Sequence, residues 1–216
     1  MDAYCDEVSF RYYVYISDDK IDMLLSQIDP ALTRKRTTEV SVSLPLLGAK
    51  RGVEAPSGSD RIARLERVVR HLHDFGDLGS VAEPGQFFGG ILPMRWGPFH
   101  GTSLVYFGGE IDGTVVGLGG SGKHVLGSSS EQDAEGVPRS VTPNLLDGLA
   151  AEPGIGDLLG VGTGADDEAL RAVELATANL RGPLQNVEFV AKRLLSGRLG
   201  SRRVVLGSPL YVALAD

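Results

Sequence analysis

The sequence is short of several residue types, and each shortage excludes a class of protein. Its 216 residues include one cysteine, Cys5, which has no partner within the chain, so a disulfide-stapled fold is excluded. The longest apolar run, residues 204–215, is interrupted by Gly207, Ser208 and Pro209 and falls well below the roughly 20 residues of a membrane-spanning helix. Acidic residues outnumber basic ones, giving a net charge of −7, so we expect neither a membrane nor nucleic acid as the partner.

The amino-terminal residues, MDAYCDEVSF, are acidic and contain no apolar run, so we expect no signal or transit peptide. This pattern predicts a cytoplasmic protein. Arginine exceeds lysine, and alanine, glycine and valine are abundant, which is typical of a high-GC bacterial genome.

Glycine is the residue in excess, with 29 among 216 residues, about twice the usual share of about 7%. Most of the excess lies between residues 85 and 164. There, short apolar runs alternate with glycine, which is typical of a curved sheet with tight turns.

Periodicity along the chain predicts an α+β fold. The predicted strands are residues 9–16, 39–47, short runs within 86–127, 203–206 and 210–214, and the predicted helices are 20–28, 60–73, 143–149, 167–180 and 183–196. The strands cluster instead of alternating regularly with helices, which favours a curved, largely antiparallel, glycine-rich sheet or partial barrel packed by about four helices. We expect a single α+β domain over residues 1–216, with flexible loops at 48–59 and 128–140.

Residues 117–124, GLGGSGKH, match two phosphate-binding patterns, G-x-x-x-x-G-K and G-x-G-x-x-G. In both, bare backbone amides approach a phosphate at a helix N-terminus. The preceding strand fits, but His124 stands where the first pattern needs Ser or Thr, and the β-like run that follows provides no helix. Two interpretations remain: an anion-binding turn that uses backbone amides and Lys123, and a glycine-rich hairpin without a ligand, which we favour.

The single tryptophan, Trp96, lies beside Arg95, with His100 and Tyr106 nearby in the same β region. Such a set could line a pocket for a planar or anionic ligand. Alternation along a strand instead places Met94 and Trp96 on one face, in the core, and Arg95 on the other. Core packing is the favoured interpretation.

No set of nucleophile, acid and base follows from the sequence, and we predict no catalytic residue, metal ligand or cofactor. Ser17 and Lys20 match the S-x-x-K pattern of penicillin-recognising enzymes, but helix capping explains Ser17 and the two aspartates after it. His71 and His73 point about 200° apart on a helix, so they do not converge on a metal.

The helix predicted at residues 183–196 carries an apolar stripe and is followed by Arg198, Arg202 and Arg203. A helix with such a basic end could dock a partner, although packing on the protein's own sheet is favoured. The basic segments 34–70 and 192–216 could also meet as a patch for an anionic partner, or remain separate solvated faces.

Four segments carry a family resemblance: YYVYISDDKIDMLLSQ (12–27), GILPMRWG (90–97), LVYFGGEIDGTVVGLGGSGKHVLG (104–127) and EFVAKRLLSGRLGSRRVVLGSPLYVALAD (188–216). They are similar to a small family of uncharacterised bacterial proteins, a domain of unknown function found mostly in high-GC Gram-positive genomes. The family brings no assigned activity, cofactor or catalytic residue. The resemblance implies one folded unit and an accessory role in bacterial signalling or conflict systems.

The leading hypothesis is a non-catalytic, cytosolic accessory module that binds a ligand or partner through residues 88–127. The residues expected to bind the ligand are Gly119, Gly120, Ser121, Gly122, Lys123, His124, Arg95, Trp96 and Tyr106. The expected partner is a small anionic ligand or a protein, and assembly into a homo-oligomer is left open. The alternative is a nucleotide- or phosphate-dependent enzyme that uses the loop Gly117–His124 as an anion cradle.

Overall fold

The computed structural model describes residues 11–28, 58–98, 103–127, 148 and 165–215. The strand predicted at 39–47, the loop predicted at 128–140, and most of the predicted loop 48–59 and helix 143–149 lie outside these residues. A single domain over residues 1–216 stays a prediction.

The described residues form seven strands, three α-helices and one short 3-10 turn. The strands are β1 (Tyr12–Ile16), β2 (Leu78–Ser80), β3 (Phe87–Pro98), β4 (Leu104–Ile111), β5 (Thr114–Ser121), β6 (Gln185–Leu199) and β7 (Arg202–Leu214). The helices are α1 (Asp18–Ile28), α2 (Gly58–Phe75) and α3 (Ala165–Asn179), and the 3-10 turn is Gly122–His124. The helices predicted at 20–28, 60–73 and 167–180 are therefore present, each with ends shifted by a few residues.

Five of the strands close into a barrel. Strand β3 pairs with β4, β4 with β5, β5 with β7, β7 with β6, and β6 again with β3. Strand β1 extends the sheet beside β7, and β2 lies beside β3. All pairs are antiparallel except β5–β7 and β2–β3. The predicted α+β class with a partial barrel is confirmed. The described residues contain three α-helices, so the number of about four stays a prediction.

The prediction of a helix at residues 183–196 is wrong, because this segment is strand β6. Leu184, Val187, Ala191 and Leu194 fit a helical spacing, but Val187, Phe189 and Ala191 also alternate, and it is this second set that faces the barrel interior. Strand β6 is paired on both edges, with β3 and with β7. Those two ladders of backbone hydrogen bonds override a weak helical pattern.

Apolar packing divides into an interior and two outer layers. The barrel interior is filled by side chains from every barrel strand, with Phe88, Met94, Phe107 and Phe189 among the largest. Outside the barrel, α3 packs over residues of β4, β5 and β7. Helices α1 and α2 pack together over the outer face of β1 and the second half of β7.

None of the helices in the described part of the chain is long and apolar enough to cross a membrane.

Glycines in β5 make room for tyrosine side chains that lie against this strand. A Cβ atom built on Gly117 would overlap the Oη atom of Tyr106, and one built on Gly120 would overlap that of Tyr15. Both tyrosines are fully buried, so neither ring can move aside freely. Close approach of a side chain to the backbone, and not positive φ, explains these two glycines.

We predict that Gly117→Ala lowers the free energy of unfolding by about 1–3 kcal/mol, because the added methyl group displaces the buried Tyr106 ring. Gly97→Ala on β3 is the matched control, since nothing lies within 4 Å of its added Cβ, and its effect should stay within about 0.5 kcal/mol. Urea unfolding measures both. Equal effects of the two substitutions would contradict the packing argument.

Candidate functional site

A gap opens beside β7, where two strands that share one of its edges separate. Strand β5 pairs with residues 203–207 of β7, and β1 pairs with residues 211–214. None of the described strands pairs with the intervening residues 208–210 on that edge. The ladder to β6 is also irregular here, since Val190 lies opposite Tyr211 and Ala191 opposite Pro209, so Leu210 bulges.

Polar groups occupy this gap in place of a strand. The Leu210 carbonyl accepts a hydrogen bond from the Ser17 backbone amide at 2.8 Å. The Pro209 carbonyl accepts one from Lys20 Nζ at 3.1 Å, and Ser208 Oγ donates to the Gly119 carbonyl at 3.2 Å. These bonds satisfy backbone groups that the interrupted ladder would leave unpaired.

Two neighbouring elements deliver side chains to the gap. Helix α1 begins directly after Ser17, whose carbonyl accepts the Ile21 amide at 3.0 Å, and its first turn carries Asp19 and Lys20. On the other side, β5 ends at Ser121, and the 3-10 turn after it carries Lys123 and His124. We call Tyr15, Ser17, Asp19, Lys20, Lys123 and His124 the Lys20 cluster.

The Lys20 ammonium is largely buried and contacts no carboxylate of the residues that the structure describes. Two of its three N–H groups donate, to Ser17 Oγ at 3.3 Å and to the Pro209 carbonyl at 3.1 Å, and the third has no acceptor among the described residues. Burial lowers the pKa of Lys20 to about 8, against the opposing field of Asp19, and Lys123 lowers it further. Lys20 is therefore mostly charged at neutral pH and is about half deprotonated near pH 8.

Tyr15 contributes a second underused polar group. Its ring packs edge-on against the imidazole of His124, with 5.8 Å between ring centroids, and against Phe107 at 6.0 Å. No hydrogen bond of ordinary geometry reaches its buried Oη atom from the described residues. Burial raises the pKa of Tyr15, and the nearby Ser17 side chain and Ser121 backbone oppose this rise only in part. Its hydroxyl stays protonated and available as a donor.

Asp19 forms the exposed rim of the Lys20 cluster. Its Oδ2 atom accepts a hydrogen bond from Lys123 Nζ at 2.7 Å and lies 3.3 Å from His124 Nε2. The hydrogen bond from Lys123 holds the pKa of Asp19 below its usual value, with a further contribution from His124. Burial lowers the pKa of His124 to about 4 despite the attraction of Asp19. At neutral pH the rim is thus an ion pair beside a neutral imidazole.

The glycine motif ends a strand and does not precede an α-helix. Gly119, Gly120 and Ser121 belong to β5, and the 3-10 turn begins at Gly122. The Gly122 amide donates to the Ser103 carbonyl at 2.6 Å, and the Val125 amide donates to the Gly122 carbonyl at 3.0 Å. These two amides already form hydrogen bonds within the protein, and Lys123 already forms an ion pair with Asp19.

The structure places the other three predicted ligand residues away from the Lys20 cluster. Trp96 stacks on Phe107 within the barrel and donates from Nε1 to Gln185 Oε1 at 3.1 Å. Arg95 is exposed on the outer face, where its Nε lies 3.3 Å from the Gly182 carbonyl. Tyr106 is buried under α3. The expected alternation of Met94, Arg95 and Trp96 is confirmed.

Tyr106 is held by α3, since its Oη lies 3.0 Å from Thr177 Oγ1 and 3.3 Å from the Val173 carbonyl. Of the nine residues predicted to bind a ligand, only Lys123 and His124 contribute side chains to the Lys20 cluster.

Sequence reasoning missed Tyr15, Asp19 and Lys20 as site residues. Helix capping explains Ser17 and its neighbours in the sequence without any further role. One signal was available: a lysine in the first turn of a helix opposes the helix dipole, which favours acidic residues there. The S-x-x-K pattern marked the same two residues, Ser17 and Lys20, although for a different chemistry.

We predict that lowering the pH from about 6.5 to about 4 destabilises the protein through His124. In this range the unfolded chain takes up a proton that the buried imidazole resists, so the free energy of unfolding falls as the pH falls. His124→Gln keeps a neutral side chain that can donate to Asp19 and removes this effect. The difference between the two pH profiles in urea unfolding should reach about 1–3 kcal/mol. Parallel profiles would assign the pH dependence to other groups.

Comparisons with known proteins give a family but no activity. Neither the curated proteins nor the solved structures include a match to this chain. The model of DUF7019, a family of unknown function, matches residues 11–216. This match covers all of the described strands and helices, and the chain therefore belongs to the DUF7019 family.

Proposed function

We propose that the protein is a non-catalytic binding module that holds a small anionic ligand at the Lys20 cluster. The proposal includes residence in the bacterial cytoplasm and an accessory role in a signalling or conflict system, as the family resemblance implies. The proposed contact surface is the end of β5, which lies within the predicted recognition region 88–127, together with the start of α1, which lies outside it.

The third N–H group of the Lys20 ammonium carries the proposal. A charged group loses hydration when it is buried, and this loss is offset only when each of its donors finds an acceptor. Lys20 has two neutral acceptors, Ser17 and the Pro209 carbonyl, and no carboxylate. An oxyanion bound to the third N–H group would supply both the missing acceptor and the missing charge.

Neighbouring groups favour an anion of limited size. Tyr15 Oη is a buried hydroxyl that forms no hydrogen bond of ordinary geometry with the described residues, although the Ser17 side chain lies nearby, and Lys123 stands at the exposed rim. His124 is neutral, so it adds a dipole to the site without a second buried charge. We infer a carboxylate or phosphate group that reaches Lys20 from the rim and draws Lys123 away from its pairing with Asp19.

The second candidate is the nucleotide- or phosphate-dependent enzyme that uses Gly117–His124 as an anion cradle. One observation favours catalysis: with its pKa lowered to about 8, Lys20 presents a fraction of neutral amine near physiological pH, as nucleophilic and basic lysines do. Turnover of a nucleotide or phosphoester that is abolished by Lys123→Ala would favour the enzyme and contradict the binding module.

We predict that at least one anion in a panel of acetate, succinate, inorganic phosphate, ATP and NAD raises the melting temperature of the wild-type protein. Lys20→Met should abolish this rise, because it removes the ammonium and keeps an apolar chain of similar length. Differential scanning calorimetry measures the melting temperature of each protein with and without each anion.

Arg171→Met is the matched control for Lys20→Met. It removes one positive charge from an exposed position of α3 that has no ion pair among the described residues, so the net charge changes equally. The wild-type response to the panel should survive in this variant. A flat panel with wild-type protein, or equal losses in both variants, would contradict a site at Lys20.

We further predict that affinity for the stabilising anion declines as the pH rises through about 8, because the free protein loses the Lys20 proton there. Isothermal titration between pH 6.5 and 9.5 measures this decline. Lys20→Arg retains its charge over the whole range, so any binding that it supports should lack the decline near pH 8. A decline of the same size in Lys20→Arg would assign the titration to another group.

A further inference from the structure

Strands β6 and β7 place three arginines at the end of the barrel remote from the Lys20 cluster. Arg193 follows the interior residue Ala191 by two positions, and Arg203 precedes the interior residue Val205 by two. Because side chains alternate along a strand, both arginines continue inward-facing columns beyond the apolar interior. Arg198 lies directly opposite Arg203 in the β6–β7 ladder.

The three guanidinium groups line an open cleft of about 500 Å³. Its opposite wall is the segment between β2 and β3, including Glu83, Pro84 and Gly85, and Asp77 lies at its base. We call this space the arginine cleft. Its volume lies in the usual range of small-molecule sites, about 300–1,000 Å³.

Arg193 and Arg203 donate hydrogen bonds to backbone carbonyls in the wall of the cleft, and these contacts do not neutralise their charge. Arg193 Nη1 donates to the Pro84 carbonyl at 2.7 Å, and Arg203 Nη1 donates to the Ala82 carbonyl. Arg198 makes no hydrogen bond or ion pair with any described residue. Most of the N–H groups on the three side chains therefore remain free to donate.

Carboxylates near the arginine cleft do not compensate this charge. The Oδ2 atom of Asp77 already accepts the Gln86 backbone amide at 2.5 Å. Within the described residues, neither Asp77 nor the exposed Glu83 lies within the 4 Å of an ion pair with any of the three guanidinium groups. Arg202, which the sequence places beside Arg203, lies on the opposite face and pairs with Glu110 and Glu174.

Like charges directly opposite each other across a β ladder are destabilising. The pair formed by Arg198 and Arg203, with Arg193 beside it, therefore works against the stability of the hairpin. This concentration of positive charge is unusual in a chain whose net charge is −7. A bound polyanion would turn this repulsion into attraction.

From this geometry we propose that the arginine cleft binds a phosphorylated small molecule. The planar guanidinium fork matches phosphate oxygens in pairs, and three converging arginines suit a group with more than one negative charge. The site is distinct from the Lys20 cluster, which offers one buried ammonium, a tyrosine hydroxyl and a second lysine that is paired with Asp19.

Isothermal titration of the full chain with inorganic pyrophosphate and with ATP, at about 0.1 M salt, tests the proposal. Wild-type protein should bind at least one of the two probes. Arg198→Gln should weaken its binding about tenfold or more, and Arg198→Lys by a smaller factor, because lysine keeps the charge and loses the paired N–H groups. Arg198 has no partner among the described residues, so the melting temperature without ligand should not fall.

Two variants separate this site from other anion binding. Arg171→Gln removes the same charge on α3 and should bind like wild type, since nonspecific attraction to net charge would weaken both variants equally. Lys20→Met should also leave the affinity unchanged. Absence of binding by wild type, equal weakening in Arg171→Gln, or loss of binding in Lys20→Met alone would overturn the arginine cleft. The last of these results would at the same time support the Lys20 cluster.

Discussion

The pairing of β7 along both of its edges is the interaction on which the rest of the structure depends. One edge binds β6 over nearly its whole length, while the other binds β5 first and β1 afterwards. The first arrangement closes the barrel, and the second leaves the gap that α1 and the 3-10 turn fill with polar side chains. Removing either edge would open the barrel and separate the parts of the Lys20 cluster.

Positive charge lies at two places along β7, near its start and beside Pro209. Near its start, Arg203 faces Arg198 without a carboxylate, and beside its second half Lys20 donates to the Pro209 carbonyl. Burial and repulsion of charge oppose folding, so a chain selected for stability alone would replace these residues. Arg61 and Arg202 show the alternative, since each of them is paired with a carboxylate. The buried Lys20 and the facing arginines are therefore the main physical argument for ligands.

Sequence patterns correctly predicted the elements whose structure depends on residues close to them in the sequence. Alternation placed Trp96 inside and Arg95 outside, and apolar spacing located α1, α2 and α3. The pattern of β6 was ambiguous, because its inward residues Val187, Phe189 and Ala191 are recognised only once β3 and β7 lie beside it. The Lys20 cluster was predictable only in part, again because some of its contacts are distant in the sequence. Lys123 and His124 lie in a conspicuous motif, whereas the partner of Lys20 is the carbonyl of a distant proline.

Distance along the chain has a consequence for when the Lys20 cluster exists. Lys20 and Pro209 are 189 residues apart, and Asp19 and Lys123 are 104 apart. Contacts of such separation form slowly, because the chain entropy of closing large loops is lost before the contacts stabilise anything. A chain in which β7 has not yet docked has a hydrated lysine and no site. Because the site exists only in the closed barrel, a ligand binds only that state. Its binding free energy therefore stabilises the whole barrel against unfolding, including the strands that it does not touch.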